Sequence, residues 1–245
     1  MSNNDKKIDK KNIKIFFEER AKTYDENNPL KSVIYQDKNP ILAKERDLYE
    51  KTKIKKILNL SKDDTVLDIG CGIGRWASEL YEKVNKYVGI DYMESFIEIA
   101  KEKYKKRNNV YFICLNGSDL NNSDIKFHSP YNLVMILGLY PYISNDEGYN
   151  ILENILKISN NFTRIIIREP IALDKELILN NVWSDEMETH YSAVYRTQKY
   201  FEKMFGDVLF NEGYELSLSE PLFPNHLNNR KETRQHLFYL EKGDK

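Results

Sequence analysis

Three glycines at alternate positions close a short apolar run in the segment VLDIGCGIG. Asp68 precedes these glycines, which are Gly70, Gly72 and Gly74. Because glycine has no Cβ atom, this spacing permits a tight turn from a buried strand into a helix, with backbone N–H groups free to face a ligand. The pattern therefore predicts an α/β fold that binds a ligand at the carboxyl end of its first strand. The alternative is a tight turn with a purely structural role.

Two acidic residues indicate which ligand this turn would bind. Dinucleotide-binding turns have the spacing G-x-G-x-x-G, whereas this chain has G-x-G-x-G. Asp68 would repel a diphosphate but suits a cationic amine. Asp91 ends the next apolar run, KYVGID. A carboxylate at this position can accept hydrogen bonds from both hydroxyls of a ribose. The alternative role of Asp91 is that of a helix N-cap. These features favour a nucleoside that carries an amino-acid end.

Apolar runs alternate with helical segments through the middle of the chain. The runs predicted as strands are 65–70, 86–91, 110–115, 131–137 and 163–168, with helices over 75–84 and 147–158. Two later runs, 214–220 and 235–242, are expected to close the sheet as an antiparallel pair. The sequence therefore predicts a Rossmann-like, doubly wound α/β fold: seven strands, mostly parallel with an antiparallel last strand, and helices on both faces.

The 245 residues, 41% of them hydrophobic, are enough for one domain with its own core. We expect an N-terminal helical lid over residues 1–60 and a ligand-binding core over 61–170. A helical cap inserted over 171–206 and closing strands over 207–245 complete the predicted domain.

The charge balance and the apolar pattern limit the partners that the chain is expected to have. Lys and Arg total 37 and Asp and Glu total 38, so the formal charge of −1 gives no overall attraction to nucleic acid or to an anionic membrane. No run reaches the roughly 18 apolar residues of a membrane helix, and we expect a cytoplasmic protein. Cys71 and Cys114 lack zinc-site spacing, so no metal is expected. The predicted partner is a small molecule, and the chain is expected to be a monomer or a homodimer.

The segments VLDIGCGIGRWA and YVGIDYMESFIEIA together resemble those of the class I S-adenosylmethionine-dependent methyltransferases, over about residues 45–170. The resemblance implies that the glycine turn holds the methionine part of the cofactor, the acid after the second strand holds the ribose, and residues after the third strand hold the adenine. The cofactor residues implied in this chain are Asp68, Gly70, Gly72, Gly74, Asp91, Tyr92, Gly117, Ser118 and Asp119. It also implies that Leu137 and Tyr140 lie near the transferable methyl group, and that Tyr24 belongs to a lid, with a buried aromatic as the alternative.

Methyl transfer depends mainly on aligning donor and acceptor, and a general base helps when the acceptor is a hydroxyl. Candidate bases are Glu169, at the end of the fifth strand, His190, in the predicted cap, and His226, in a late loop. An ion pair for Glu169 and solvated surface positions for the histidines are the alternatives. Candidate residues for binding a phosphate or carboxylate of the acceptor are Arg168, Tyr195, Arg196 and Arg230.

The segments YSAVYRT and NRKETRQ are also similar to those of small bacterial methyltransferases in sugar and surface-polysaccharide pathways. This resemblance implies O-methylation of a sugar, a nucleotide-sugar or a related phosphorylated building block. N-methylation of a small amine is the nearest alternative. A nucleic-acid methyltransferase is less expected, because the turn after the fourth strand reads LGLYPY and lacks an N/D-P-P-Y/F pattern. A non-catalytic cofactor-binding protein and a dehydrogenase are the remaining alternatives.

Overall fold

The computed structural model describes residues 8–35 and 37–242. Its helices are α1 (Lys10–Lys22), α2 (Pro40–Ile57), α3 (Ala77–Leu80), α4 (Glu94–Tyr104), α5 (Ser123–His128), α6 (Asn145–Ile158) and α7 (Gln198–Val208). Its strands are β1 (Thr65–Ile69), β2 (Lys86–Asp91), β3 (Val110–Cys114), β4 (Tyr131–Leu137), β5 (Ser159–Ala172), β6 (Leu177–Ser184), β7 (Thr189–Tyr195), β8 (Tyr214–Pro221) and β9 (Thr233–Lys242).

One sheet contains seven of these strands, in the order β3-β2-β1-β4-β5-β9-β8. Strands β1 to β5 pair in parallel, whereas β9 runs antiparallel to both β5 and β8. The predicted fold is therefore confirmed, including the antiparallel last strand. The order places the carboxyl ends of β1, β2 and β4 side by side at one edge of the sheet.

Hydrophobic cores cover both faces of the sheet, because successive side chains of a strand point to opposite faces. On one face, Leu67 and Val134 pack in a cluster with apolar residues of α6 and α7. On the other face, Val66 and Met135 pack in a cluster with residues of α2, α3 and α4. The central strand β1 is buried along its whole length. Helices on both faces agree with the doubly wound prediction.

The helix predicted over 75–84 is much shorter in the structure. Only Ala77–Leu80 is helical, and turns occupy the positions on either side. The short helix still buries Ala77 and Leu80 on the sheet. Strand β5 is longer than the predicted 163–168 at both ends, because it begins at Ser159 beside Tyr131 of β4 and continues to Ala172 beside β9.

The predicted helical cap over 171–206 is wrong for most of its length. Strands β6 and β7 form an antiparallel hairpin, and only the following α7 is helical. The segments LILNNVWS and THYSAVY are rich in β-branched and aromatic residues, which favour strands over helices. Glu188, beside the hairpin turn, has a φ of 51°, in the left-handed region that interrupts a helix.

Two kinds of feature are absent from the residues that the structure describes. None of the helices there is both long and apolar enough to cross a membrane. The same part of the chain contains no group of three or more His, Cys, Asp or Glu side chains that could hold a metal ion.

Candidate active site

A cavity of about 320 Å³ lies at the carboxyl edge of the sheet. Its walls come from the ends of β1, β2 and β4, from the loop after β3, from α1 and α2, and from the β6–β7 hairpin. Parallel sheets bind ligands at this edge, so the cavity is in the predicted place. Of the predicted cofactor residues, those that line it are Asp68, Gly70, Gly72, Asp91, Tyr92, Gly117 and Leu137.

The glycine turn forms one wall of this cavity. Gly70 and Gly72 have φ values of +79° and +53°, a conformation that favours glycine over other residues. The N–H of Gly70 donates a hydrogen bond of 2.8 Å to the carbonyl of Ile90 on β2. Gly74 has a different role, because a Cβ atom there would lie 2.7 Å from the ring of Phe112. Gly74 allows the turn to pack on β3 and does not line the cavity.

Asp68 is buried at the end of β1, and one of its carboxylate oxygens accepts a hydrogen bond from the Tyr87 hydroxyl. Burial raises the pKa of Asp68 to about 6, although the Tyr87 hydrogen bond and the charge of Arg75 lower it. A cationic ligand would relieve the cost of burying this carboxylate. The site therefore fits an ammonium group next to the glycine turn.

Asp91 connects the glycine turn to the end of β2. Its carboxylate accepts hydrogen bonds from the N–H groups of Gly72, at 3.0 Å, and Met93, at 2.9 Å. Burial raises the pKa of Asp91 to about 6, and these backbone hydrogen bonds oppose the rise. A carboxylate has about four acceptor positions, so two remain for a pair of hydroxyl donors. The structure thus shows the backbone-cap role of Asp91, and its place in the cavity lining is compatible with the predicted ribose role.

The loop after β3 differs from the prediction in detail. Gly117 lines the cavity, but Ser118 and Asp119 do not, and Asn116 takes their place. The amide oxygen of Asn116 accepts hydrogen bonds from the N–H and hydroxyl of Ser118, at 3.0 and 2.9 Å. Ser118 therefore orients Asn116.

Tyr24, the tyrosine predicted for the lid, is partly buried outside the cavity. Tyr35, which follows the 3-10 turn Pro29–Ser32, lines the cavity instead. Both tyrosines pack in the apolar cluster beneath α1. The N-terminal segment therefore does line the cavity, but through Tyr35 and not through the predicted Tyr24.

Glu169 and Tyr140 lie behind the cavity wall. Glu169 is fully buried, and one oxygen accepts hydrogen bonds from the N–H groups of Gly138 and Leu139, at 3.0 and 2.9 Å. Burial raises the pKa of Glu169 to about 7. Tyr140 is also fully buried and donates to the carbonyl of Gly148 at 3.3 Å. Glu169 is therefore a positioning residue for the turn after β4, and neither residue reaches the cavity as predicted.

The structure also places both predicted histidine bases away from the cavity. His190 is exposed on β7 and packs against Trp183, with 5.4 Å between ring centroids. His226 is exposed in a 3-10 turn before β9. The prediction of His190 as a base is therefore wrong in position. His190 lies on a strand of the hairpin, where successive side chains point to opposite faces, so Tyr191 points inward and His190 outward.

The four residues predicted to bind the acceptor are divided between the cavity and the core. Arg168, Tyr195 and Arg230 line the cavity. Arg196 does not, and only 2% of its surface is exposed. Its guanidinium group donates to the Asn145 side chain and to the carbonyls of Tyr140 and Ile143, at 2.6 to 2.7 Å. Arg196 therefore joins the hairpin to the turn after β4, and it is not free to bind a ligand.

One part of the cavity is lined by aromatic rings, of which the sequence analysis singled out only Tyr195 as a site residue. We call this part the tyrosine compartment, and its residues are Phe17, Tyr35, Tyr142, Tyr191 and Tyr195. The hydroxyls of Tyr142 and Tyr191 are 2.7 Å apart, and those of Tyr191 and Tyr195 are 3.5 Å apart. Burial raises the pKa of Tyr35 to about 12, so its phenol stays neutral at physiological pH. The compartment combines ring faces with neutral hydroxyl groups.

A buried ion-pair network lies at another side of the cavity. The carboxylate of Glu50 lies 2.5 Å from the guanidinium group of Arg75 and 3.3 Å from that of Arg168. Burial alone would raise the pKa of Glu50, but the two arginines lower it to about 2. Asp47 lies 2.6 Å from Arg75 and adds a second negative charge. The network ties α2 to the glycine turn and to the carboxyl half of β5.

Comparison with known proteins agrees with this geometry. Residues 66–160 match a family described as a methyltransferase domain. Phosphoethanolamine N-methyltransferase 3 of Arabidopsis thaliana is 26% identical over 181 residues, which are 72% of this chain and 35% of that protein. Ribosomal RNA small subunit methyltransferase A of Mycoplasma capricolum subsp. capricolum is 26% identical over 169 residues, 67% of this chain and 60% of that protein.

A solved structure with a similar fold is that of Haemonchus contortus phosphoethanolamine N-methyltransferase 1, in complex with phosphoethanolamine and S-adenosylhomocysteine. It has a TM-score of 0.71 and 20% identity, and the match covers 96% of this chain and 49% of that one. The chain thus spans about a third to a half of the length of these phosphoethanolamine methyltransferases. Residues 66–160 thus match a methyltransferase domain, and the likeness to the solved structure shows that the two chains share a fold.

Proposed function

We propose that this protein transfers a methyl group from S-adenosylmethionine to the nitrogen of a small polar amine. The observation that carries this proposal is the tyrosine compartment in the cavity that also contains the glycine turn and Asp91. Aromatic ring faces attract ammonium groups, and hydroxyls provide hydrogen bonds that orient them. Two phosphoethanolamine N-methyltransferases among the similar proteins support an amine acceptor.

The cavity residues have distinct roles in this reaction. Asp68 binds the amino group of the cofactor, and Asp91 accepts hydrogen bonds from its ribose hydroxyls. Glu169 fixes the turn at Gly138 and Leu139, which borders the cavity. When bound, S-adenosylmethionine would supply the methyl group of its sulfonium to the acceptor nitrogen, with the new N–C bond formed as the C–S bond breaks and S-adenosylhomocysteine left as the thioether.

The tyrosine compartment positions the acceptor nitrogen and limits the entry of water. An ammonium group must give up a proton to solvent before its nitrogen can attack, and the neutral tyrosine hydroxyls can accept a hydrogen bond from the uncharged amine while it is held in line. Catalysis by alignment requires no dedicated base. This agrees with the positions of Glu169, His190 and His226 outside the cavity.

We infer that the N-terminal segment, predicted as 1–60, acts as a lid within a single domain. Phe17 and Tyr35 of this segment line the cavity. The side chain of Lys10 lies 2.5 Å from Glu147 on α6, which ties α1 to the opposite wall. These contacts support a lid that must open for substrates to enter.

O-methylation of a sugar or nucleotide-sugar remains the second candidate from the sequence. A hydroxyl acceptor benefits from a general base, and the three proposed bases do not line the cavity. The amine is therefore the better-supported acceptor. The similarity to a ribosomal RNA methyltransferase is a reason to test nucleic acid as a methyl acceptor too, although the formal charge of −1 does not favour nucleic-acid binding.

The experiment that tests this proposal is a methyl-transfer assay with labelled S-adenosylmethionine. Acceptors offered in parallel are ethanolamine, phosphoethanolamine, nucleotide-sugars and an RNA duplex. We expect label on the amines, and a lower rate in Tyr191→Phe, which removes the hydroxyl 2.7 Å from Tyr142. Trp183→Phe, on the exposed side of the hairpin, is the matched control. Label only on sugars or RNA would overturn the amine assignment.

A further inference from the structure

Arg196, which directly follows β7, is a buried cation with no part in the proposed chemistry. Only 2% of its surface is exposed. Among residues 8–35 and 37–242, Arg196 forms no ion pair, unlike Arg20, Arg75, Arg164 and Arg168. A guanidinium group buried without a carboxylate is costly unless its N–H groups find other acceptors. The acceptors of Arg196 therefore indicate what its burial stabilises.

All three acceptors belong to residues 138–145, which run from the end of β4 to the first residue of α6 and which we call the β4 turn. The Nε of Arg196 donates to the side chain of Asn145 at 2.7 Å. Its two terminal nitrogens donate to the carbonyls of Tyr140 and Ile143, at 2.6 and 2.7 Å. A planar guanidinium group presents its donors in fixed directions, so these bonds set the position of the β4 turn relative to Arg196.

The backbone of Arg196 is fixed to the central sheet. Its carbonyl accepts a hydrogen bond of 2.9 Å from the N–H of Ala172, the last residue of β5. The next residue, Thr197, forms an isolated bridge with Ala172. Arg196 therefore connects three elements: β5 through its backbone, the β6–β7 hairpin through the chain, and the β4 turn through its side chain.

The β4 turn and the hairpin each supply part of the tyrosine compartment. Tyr142 belongs to the turn and Tyr191 to β7, and their hydroxyls are 2.7 Å apart. In the described part of the chain, the other hydrogen bonds between the turn and residues 177–196 are those of Arg196. The relative position of the two hydroxyls therefore depends on Arg196. In a reaction catalysed by alignment, a displacement of about 1 Å can lower the rate about a hundredfold.

We propose that Arg196 is a positioning residue for the acceptor, which it aligns through Tyr142 and Tyr191 without touching either the acceptor or the cofactor. This inference rests on the proposed function, because it assigns the tyrosine compartment to the acceptor. Glu169 holds the start of the β4 turn through two backbone N–H groups. The part of the turn that borders the expected cofactor therefore keeps its own anchor, and loss of Arg196 should affect the acceptor alone.

The test compares Arg196→Lys with the original protein and with Arg164→Lys. Lysine keeps the charge but has one nitrogen, which does not span three acceptors. For the acceptor that the original protein methylates, Arg196→Lys should lower kcat/KM by about tenfold to a hundredfold. The affinity for S-adenosylhomocysteine, measured by calorimetry, should not change. A milder variant, Asn145→Ala, removes one acceptor at an exposed position and should give a smaller loss of the same kind.

Arg164→Lys is the matched control for a purely structural arginine. Arg164 is largely buried, donates to the carbonyls of Leu58 and Asn59, pairs with Asp64, and does not line the cavity. This variant also loses buried hydrogen bonds, and thermal melting measures the stability that each variant loses. Arg164→Lys should nevertheless keep the original kcat/KM.

The double variant Tyr191→Phe/Arg196→Lys tests whether the two residues act together. If Arg196 acts through the tyrosine pair, the loss of kcat/KM in the double variant should be smaller than the product of the two single losses. Single losses that multiply would overturn the positioning role. An Arg196→Lys variant with unchanged kcat/KM for the acceptor, or with weakened binding of S-adenosylhomocysteine, would overturn it too.

Failure of the proposed function has a different signature, namely that the original protein methylates none of the acceptors offered. Amide hydrogen exchange then decides whether Arg196 fixes the compartment. Exchange in the β4 turn and the hairpin should become faster in Arg196→Lys and stay unchanged in Arg164→Lys. Exchange in both segments as slow as in the original protein would overturn the inference.

Discussion

The backbone N–H of Gly72 donates a hydrogen bond of 3.0 Å to the carboxylate of Asp91, nineteen residues further along the chain. This contact joins the glycine turn after β1 to the acid at the end of β2, so the two halves of the expected nucleoside site are fixed relative to each other. The N–H groups of Gly72 and Met93 occupy two acceptor positions of the Asp91 carboxylate, so ribose hydroxyls can donate only to the positions that remain.

Asp91→Asn should weaken binding of S-adenosylhomocysteine by about tenfold or more, because the amide loses the charge that strengthens hydrogen bonds to the ribose hydroxyls. Titration calorimetry measures the change. Asp119→Asn is the matched control, since Asp119 is exposed outside the cavity and should keep the original affinity. Equal affinities for all three proteins would remove Asp91 from the site.

Gly74→Ala should destabilise the protein by about 1 to 3 kcal/mol, because a Cβ atom would lie 2.7 Å from the Phe112 ring and φ is +72°. Denaturant unfolding measures this free energy. The comparison is Gly206→Ala in α7, where a Cβ atom meets nothing closer than 3.7 Å and alanine should stabilise by about 0.5 to 1 kcal/mol. Unchanged stability in Gly74→Ala would contradict the packing described for the turn.

Glu169→Gln should flatten the dependence of stability on pH between about 4.5 and 7. Burial raises the pKa of Glu169 from 4.5 to about 7, so the folded state binds a proton more tightly and the free energy of unfolding falls as pH rises through this range. Asp68 and Asp91 act in the same direction and remain in the variant. Urea unfolding of both proteins at several pH values measures the contribution of Glu169 to this pH dependence. If the free energy of unfolding changes with pH equally in both proteins, the buried, proton-binding Glu169 described here is refuted.

His190→Ala and His226→Ala should each keep methyl-transfer turnover within about twofold of the original, because both side chains are exposed away from the cavity. The pH profile of turnover should also stay unchanged. Initial rates with saturating cofactor and acceptor test this expectation. A large loss in either variant would return that histidine to the list of candidate bases.

Local sequence patterns predicted the sheet well because each strand carries its own signal. The bounds of β2 and β4 agree with the predicted 86–91 and 131–137, since apolar runs end there at turn-forming residues. The hairpin of β6 and β7 was taken for a helix, because its aromatic and charged residues lack a clean alternation. Residues 191–195 of β7 are all buried, so both faces of the strand carry buried side chains and no alternation of polar and apolar residues is required.

The cofactor side of the site was predictable where its residues follow strands directly. Asp68 and Asp91 end β1 and β2, and the topology of a parallel sheet brings them together. The tyrosine compartment could not be predicted in this way, because Tyr35, Tyr142 and Tyr191 come from three separate elements and meet only through tertiary packing. Arg46 was missed for the same reason, as nothing in α2 itself marks it as a cavity residue.

The most direct test of the central claim is a calorimetric titration of the protein with S-adenosylhomocysteine, compared with a nicotinamide dinucleotide. The geometry of Asp68, Asp91 and the glycine turn predicts one binding site per chain for S-adenosylhomocysteine and no binding of the dinucleotide. Absence of binding by the folded protein, or binding of the dinucleotide instead, would contradict the assignment of this cavity to S-adenosylmethionine.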